Sequence, residues 1–166
     1  MLAVTNPPCG TSVPLPPSAA FGLDECWVRA RFKLGKENGK LRSVFEASYA
    51  EHPAALQMYL PDGKNEVVFA SRNAGGWHQP VHRKGYLTPG LVHEFTGIRR
   101  GNDLFLSMDG LPPERACIMG RPMSLDTPRK LVIGQGFTGT LLEVSLGRGR
   151  PRGFNGALTR EELFRK

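Results

Sequence analysis

Short apolar runs along this chain are separated by turn-forming residues, strand then tight turn then strand, at the regular spacing of a β-sandwich. In Leu104–Met108, Leu104, Leu106 and Met108 share the face expected to line a core, while Phe105 and Ser107 point away. Trp27–Leu34 predicts a strand, although its alternation is uneven. Gly35–Lys40 predicts a turn with Asn38-Gly39 as the hairpin signal, and Leu41–Ser48 pairs back. Ala55–Leu60 and Glu66–Ser71 flank Pro61-Asp62-Gly63, a second hairpin. Leu91–Arg99 leads into a turn at Arg100–Asp103. In Phe137–Leu146, Phe137, Gly139 and Leu141 share one face and Val144 and Leu146 the other, a phase change that predicts a bulge or a sharp bend.

Two stretches break the pattern, Arg72–Pro89 (RNAGGWHQPVHRKGYLTP) and Leu111–Pro128, and both read as long loops. The first twenty residues hold Pro7, Pro8, Pro14, Pro16 and Pro17, which bar a central strand. Short edge strands at Leu2–Thr5 and Thr11–Leu15, an arm reaching a neighbouring subunit, and disorder are all open to this segment. Residues 1–20 therefore read as an arm or edge strand and residues 21–166 as the domain. Near the end, Thr159 to Glu162 form a capping box, with Leu158 and Leu163 spaced as a hydrophobic staple, so a short C-terminal helix is expected.

Composition narrows the class. The 166 residues fit one domain with a core of its own, and 20 Gly with 14 Pro suit a turn-rich all-β chain. A net charge of +7 favours acidic partners, but no dense basic block stands out, so a soluble protein with scattered surface cations is the plain alternative. Cys9, Cys26 and Cys117 are odd in number and widely spaced, which argues for reduced thiols over a disulfide framework or a zinc site. No apolar run approaches the ~18 residues of a membrane span. The start, a Met followed by Pro-interrupted sequence with no basic leader, sets the expectation of a protein made and left in a cytoplasm.

The closing segments LFLSMDG (Leu104–Gly110), LVIG (Leu131–Gly134), FTGTLLEVSL (Phe137–Leu146) and ALTREEL (Ala157–Leu163) carry a family likeness. In this order and spacing the chain resembles the laminin-G-like, concanavalin-A-type jelly rolls, from roughly Phe21 to the end. The resemblance implies a two-sheet antiparallel sandwich. His93 sits where the family has one histidine of "W-H-H-V", in a structural strand, and Asp109-Gly110 matches its "V-D-G" turn. Calcium sites of relatives use acidic loop residues. Here Asp62, Asp103, Asp109 and Asp126 lie in or beside loops without a D-x-D-x-D cluster, so no metal and no cofactor is expected.

Glucanases on this fold pair carboxylates along one strand, but Glu46, Glu66, Glu94 and Glu143 stand singly. No G-x-S-x-G or H-E-x-x-H occurs, and Pro80 between His78 and His82 argues against a zinc-binding helix. A binding role without catalysis is the expectation. Trp77, His78, His82, Arg83, Lys84 and Tyr86 gather aromatics and cations in one loop, a set that suits a sugar or a protein partner. The alternative is that Trp77 covers its own core. Arg148, Arg150 and Arg152 form a basic patch expected to tolerate phosphate or carboxylate, or to dock on an acidic protein surface. It lacks the interleaved aromatics of a nucleic-acid platform, so nucleic acid is not an expected partner.

The resemblance, the missing leader and the Pro-rich arm together imply a phage virion module, decorating a capsid or associated with a fibre. Its partners would be other virion subunits, copies of itself and host-surface carbohydrate. A free lectin-like carbohydrate-binding module is the alternative.

Overall fold

The computed structural model describes residues 1–36, 40–62, 64–85, 87–151 and 154. Among these lie twelve strands: β1 (Leu2–Thr5), β2 (Thr11–Pro14), β3 (Cys26–Leu34), β4 (Arg42–Tyr49), β5 (His52–Leu60), β6 (Glu66–Arg72), β7 (His78–Lys84), β8 (Val92–Arg100), β9 (Asp103–Met108), β10 (Glu114–Cys117), β11 (Pro128–Ile133) and β12 (Gly139–Arg148). They form two six-stranded antiparallel sheets. The first runs β1-β12-β3-β8-β9-β10 and the second β2-β11-β4-β5-β6-β7. The Asn38-Gly39 turn, Gly63 and the C-terminal capping box lie outside the described residues.

Alternation builds the core between the sheets. Val28, Ala30, Phe32 and Leu34 of β3 face Phe45 of β4, Leu56, Met58 and Leu60 of β5, and Phe69 of β6 in one buried cluster. Leu104, Leu106 and Met108 join it as the pattern predicts. In β12 the register shifts between Leu141 and Glu143. This bulge is the predicted phase change, and it returns Val144 and Leu146 to the core side with Leu141. Gly97 of β8 lets Phe69 of the facing sheet press onto its backbone: a Cβ on Gly97 would lie 2.6 Å from the Phe69 ring. The outer face of the first sheet has its own apolar cluster of Trp27, Ile98 and Phe105, against which Phe154 packs.

The proline-rich start is part of both sheets. β1 pairs with β12 and β2 with β11, so residues 6–10 cross from one sheet to the other. Pro14 ends an edge strand, where its missing N–H costs nothing. Buried polar groups tie the adjoining loops down. Arg99, 1% exposed, donates to the carbonyls of Met123 and Gly22 at 2.6 and 2.7 Å. Tyr49 donates to the Ala19 carbonyl at 2.9 Å. Burial pushes the neighbouring Cys26 thiol up to about 11.

Two expectations are corrected. Arg72–Pro89 is not one long loop, because His78–Lys84 pairs with β6 over its whole length as an edge strand. Pro80 is tolerated there because an edge strand needs no donor on its open side. Leu111–Pro128 likewise contains β10, which pairs with β9.

Candidate functional site

Five of the six loop candidates, Trp77, His78, His82, Arg83 and Lys84, fall on or beside β7, at the open edge of the second sheet. Trp77 precedes the strand and is held by a turn built on Asn73. The Asn73 side-chain oxygen accepts from the amides of Gly75 and Trp77 at 3.1 and 3.0 Å, and its carboxamide donates to the Met119 carbonyl at 2.9 Å. Trp77 is 73% exposed, so it covers no core. Met119, 71% exposed, lies on the same rim.

Alternation along β7 then divides the rest. Val81 enters the core, so His78, Pro80, His82 and Lys84 take the outer face. Register aligns this face with its neighbours. One row runs Glu46, Gln57, Ala70, Pro80 and the next Ser43, Tyr59, Val68, His82. His78 reaches across β6 to β5, where its Nδ1 is 3.2 Å from Gln57 Nε2 and its Nε2 is 3.0 Å from Tyr59 Oη. The small Ala70, between Gln57 and Pro80, leaves room for that crossing. With Gln57 donating to Nδ1, the ring proton sits on Nε2 and is donated to Tyr59. The Tyr59 hydroxyl hydrogen is then free for another acceptor.

Electrostatics keep this bridge neutral. Burial, with the Arg72 charge and His82 beside it, holds His78 below the ordinary histidine value. Burial and then the Glu66 carboxylate raise the Tyr59 hydroxyl. Glu66, with only 5% of its side chain exposed, lies 3.4 Å from Nδ1 of the half-exposed His82. Lys84 is exposed on the same face, opposite Glu66.

Not every candidate joins this face. Arg83 turns the other way and donates to the Pro112 carbonyl at 2.9 Å and to Glu114 at 3.1 Å, fastening β7 to the loop before β10. Tyr86 lies outside the described residues, as does Arg152. Arg148 pairs with Asp24 and donates to the Ala20 carbonyl, and Arg150 donates to Glu25 at 3.0 Å. These acidic partners offset much of the charge expected of a basic patch. His93 is buried and holds Asp109 at 2.9 Å, while Asp109 also caps the Glu94 amide, so both serve the β8–β9 end. Among the described residues no three His, Cys, Asp or Glu side chains gather as metal ligands.

Sequence reasoning missed Gln57, Tyr59, Glu66 and Arg72. A signal was there: in β5 the core residues Leu56, Met58 and Leu60 alternate with Gln57 and Tyr59, which must face outward.

No protein-family model matches the chain, and no curated protein matches it in sequence. Solved structures do resemble it. Mouse laminin alpha1 chain domains LG4-5 superpose at a TM-score of 0.64 and 15% identity over 87% of this chain, which spans 40% of the laminin chain. The CBM40 of Ruminococcus gnavus IT-sialidase, bound to alpha2,3 sialyllactose, gives 0.67 and 14% over 92% of this chain and 94% of its own. An alginate lyase from Alteromonas sp. 272 gives 0.56 and 11% over 84% and 79%. At these identities the likeness is one of architecture: the chain folds as the laminin-G-like, concanavalin-A-type jelly roll that binding modules and at least one lyase share.

Proposed function

We propose that this protein is a carbohydrate-binding module whose site is the outer face of β5–β7 with Trp77 at its rim. The observation that carries the reading is Trp77, 73% exposed and held in place by Asn73, next to a fixed polar row. A sugar ring offers an apolar face that stacks on an indole, and hydroxyls that need donors and acceptors at set positions. Tyr59, His78, His82 and Lys84 supply both kinds, and the His78 bridge holds the first two still before a ligand arrives. The CBM40 match, a module bound to a sialylated sugar, supports the choice of ligand class.

The reading is non-catalytic. Glu46 and Glu66 share the face but stand two strands and four residues of register apart, and Glu66 turns to His82. They do not make the close carboxylate pair of glycoside hydrolysis.

Titration calorimetry against a panel of neutral and acidic glycans tests the proposal. Trp77→Ala should weaken the best ligand roughly tenfold or more, the worth of one stacked aromatic. Tyr59→Phe should weaken it less. A glycan held equally well by Trp77→Ala, or no glycan bound at all, overturns the reading.

The virion role is a second proposal. Both arm strands pair within this chain, so docking onto other subunits would use the exposed Trp77 and Met119 rim instead. Co-sedimentation with a large particle at fixed stoichiometry supports it. A slow-sedimenting free protein opposes it.

A further inference from the structure

Arg42 sits where a core residue belongs. It opens β4 in the inner-face position paired with Leu60, at the end of the sandwich where Leu34 closes the opposite sheet. It is 6% exposed, and its Nε has no hydrogen-bond partner. Among the described residues no carboxylate forms an ion pair with it. A buried guanidinium without a counter-charge is costly, and native structures ordinarily pair such groups.

A cavity of about 240 Å³ opens beside it, lined by Arg42, Lys64, Asn65, Leu34, Leu87 and Pro89. Lys64 is exposed and adds a second cation. Asn65 spends its side-chain oxygen on the Leu87 amide at 3.0 Å, which fixes its orientation and leaves its NH₂ to donate. Leu34, Leu87 and Pro89 give the cavity an apolar wall, and among the described residues no acidic side chain lines it. Guanidinium, ammonium and carboxamide NH₂ are all donors, and the first two are charged. That set matches an oxyanion carried on a small organic body. The volume falls short of the ~300–1,000 Å³ of drug-sized ligand pockets, which limits the occupant to a single ring or a chain end.

We propose that this cavity binds a small oxyanionic group, the carboxylate, sulfate or phosphate of one terminal unit, with Arg42 as its buried anchor. The site lies beyond the Lys84 end of β7, whereas Trp77 stands at the opposite end, so it is separate from the sheet-face site. Binding would supply a counter-charge that no described residue gives Arg42.

The test is an NMR titration of the full chain with D-glucuronate, inorganic sulfate and inorganic phosphate, with D-glucose as the neutral control. The amides of Leu34, Gly35, Asn65 and Leu87 should shift with the oxyanions and not with glucose, and the tightest of the three identifies the group. Arg42→Gln should weaken binding roughly tenfold or more, the worth of a charged hydrogen bond. Lys64→Gln, on the surface and harmless to the fold, should weaken it by a smaller factor. Trp77→Ala should leave these shifts unchanged, which separates this site's failure from that of the sheet-face reading. No shift at those amides at tens of millimolar of any of the three, or shifts equal in wild type and Lys64→Gln, overturns the proposal.

Discussion

His78 shows how a single side chain couples the candidate site to stability. Its two ring nitrogens face Gln57 and Tyr59, and the bridge works only with a neutral ring that accepts at one nitrogen and donates at the other. Burial, then Arg72 and His82, place its folded value below the ordinary 6.5. Between the folded and unfolded values the unfolded chain binds more protons. The contribution of this group is therefore complete above pH 6.5 and is lost as pH falls through the window beneath it. His78→Gln should flatten that part of the stability curve relative to wild type. Urea unfolding at a series of pH values between roughly 4 and 7 measures it. Equal slopes for the two proteins would show that His78 does not titrate with folding.

At the scale of elements, legibility followed the core. β3, β4, β5, β6, β8, β9 and β12 each send side chains into the core, so apolar runs between turn residues exposed them, and even the β12 bulge left its trace as a change of phase. β7 was hidden. Only Val81 of its residues enters the core, and the His, Gln, Pro, Arg and Lys around it read as a loop. The site was hidden for a related reason. Trp77, His78, His82 and Lys84 are neighbours in sequence and could be found together, but Gln57 and Tyr59 reach them only through pairing across β6. Arg42 was missed because nothing local marks an arginine that register turns inward. The arm was half legible: prolines told where a central strand could not be, and the register supplies what they could not tell. Since β1 and β2 cover one edge of each sheet, deleting residues 1–15 bares the open sides of β12 and β11 together. The truncated chain should lose several kcal/mol of the ~5–15 typical of a domain, and it should self-associate through the bared edges. Thermal unfolding and light scattering read the two effects. A truncated chain as stable and as monomeric as wild type would reduce the arm to an ornament.

The molecule as a whole is joined across its two sheets at several points at once. Phe69 of the second sheet packs onto Gly97 of the first, the inner faces of both sheets share one buried cluster, and the arm strings one sheet to the other. Arg99, on the first sheet, holds the carbonyls of Gly22 and Met123 in the loops that close the sandwich. With so many of the contacts shared, neither sheet keeps a core if the other opens, and a single cooperative transition follows. The two tryptophans make this measurable. Trp77 stands in solvent while Trp27 is 5% exposed, under Phe154 on the outer face of the first sheet. Trp77→Phe leaves Trp27 as the lone indole, reporting a cluster that is separate from the shared core. If the sheets unfold together, Trp27 fluorescence and far-ultraviolet dichroism in Trp77→Phe should give one midpoint in urea. An earlier Trp27 transition would mean that the outer cluster and Phe154 over it come away first. The arm and the shared core would then hold together a sandwich already stripped on one side, and the sheet-face site, which lies on the other sheet, would outlast the loss.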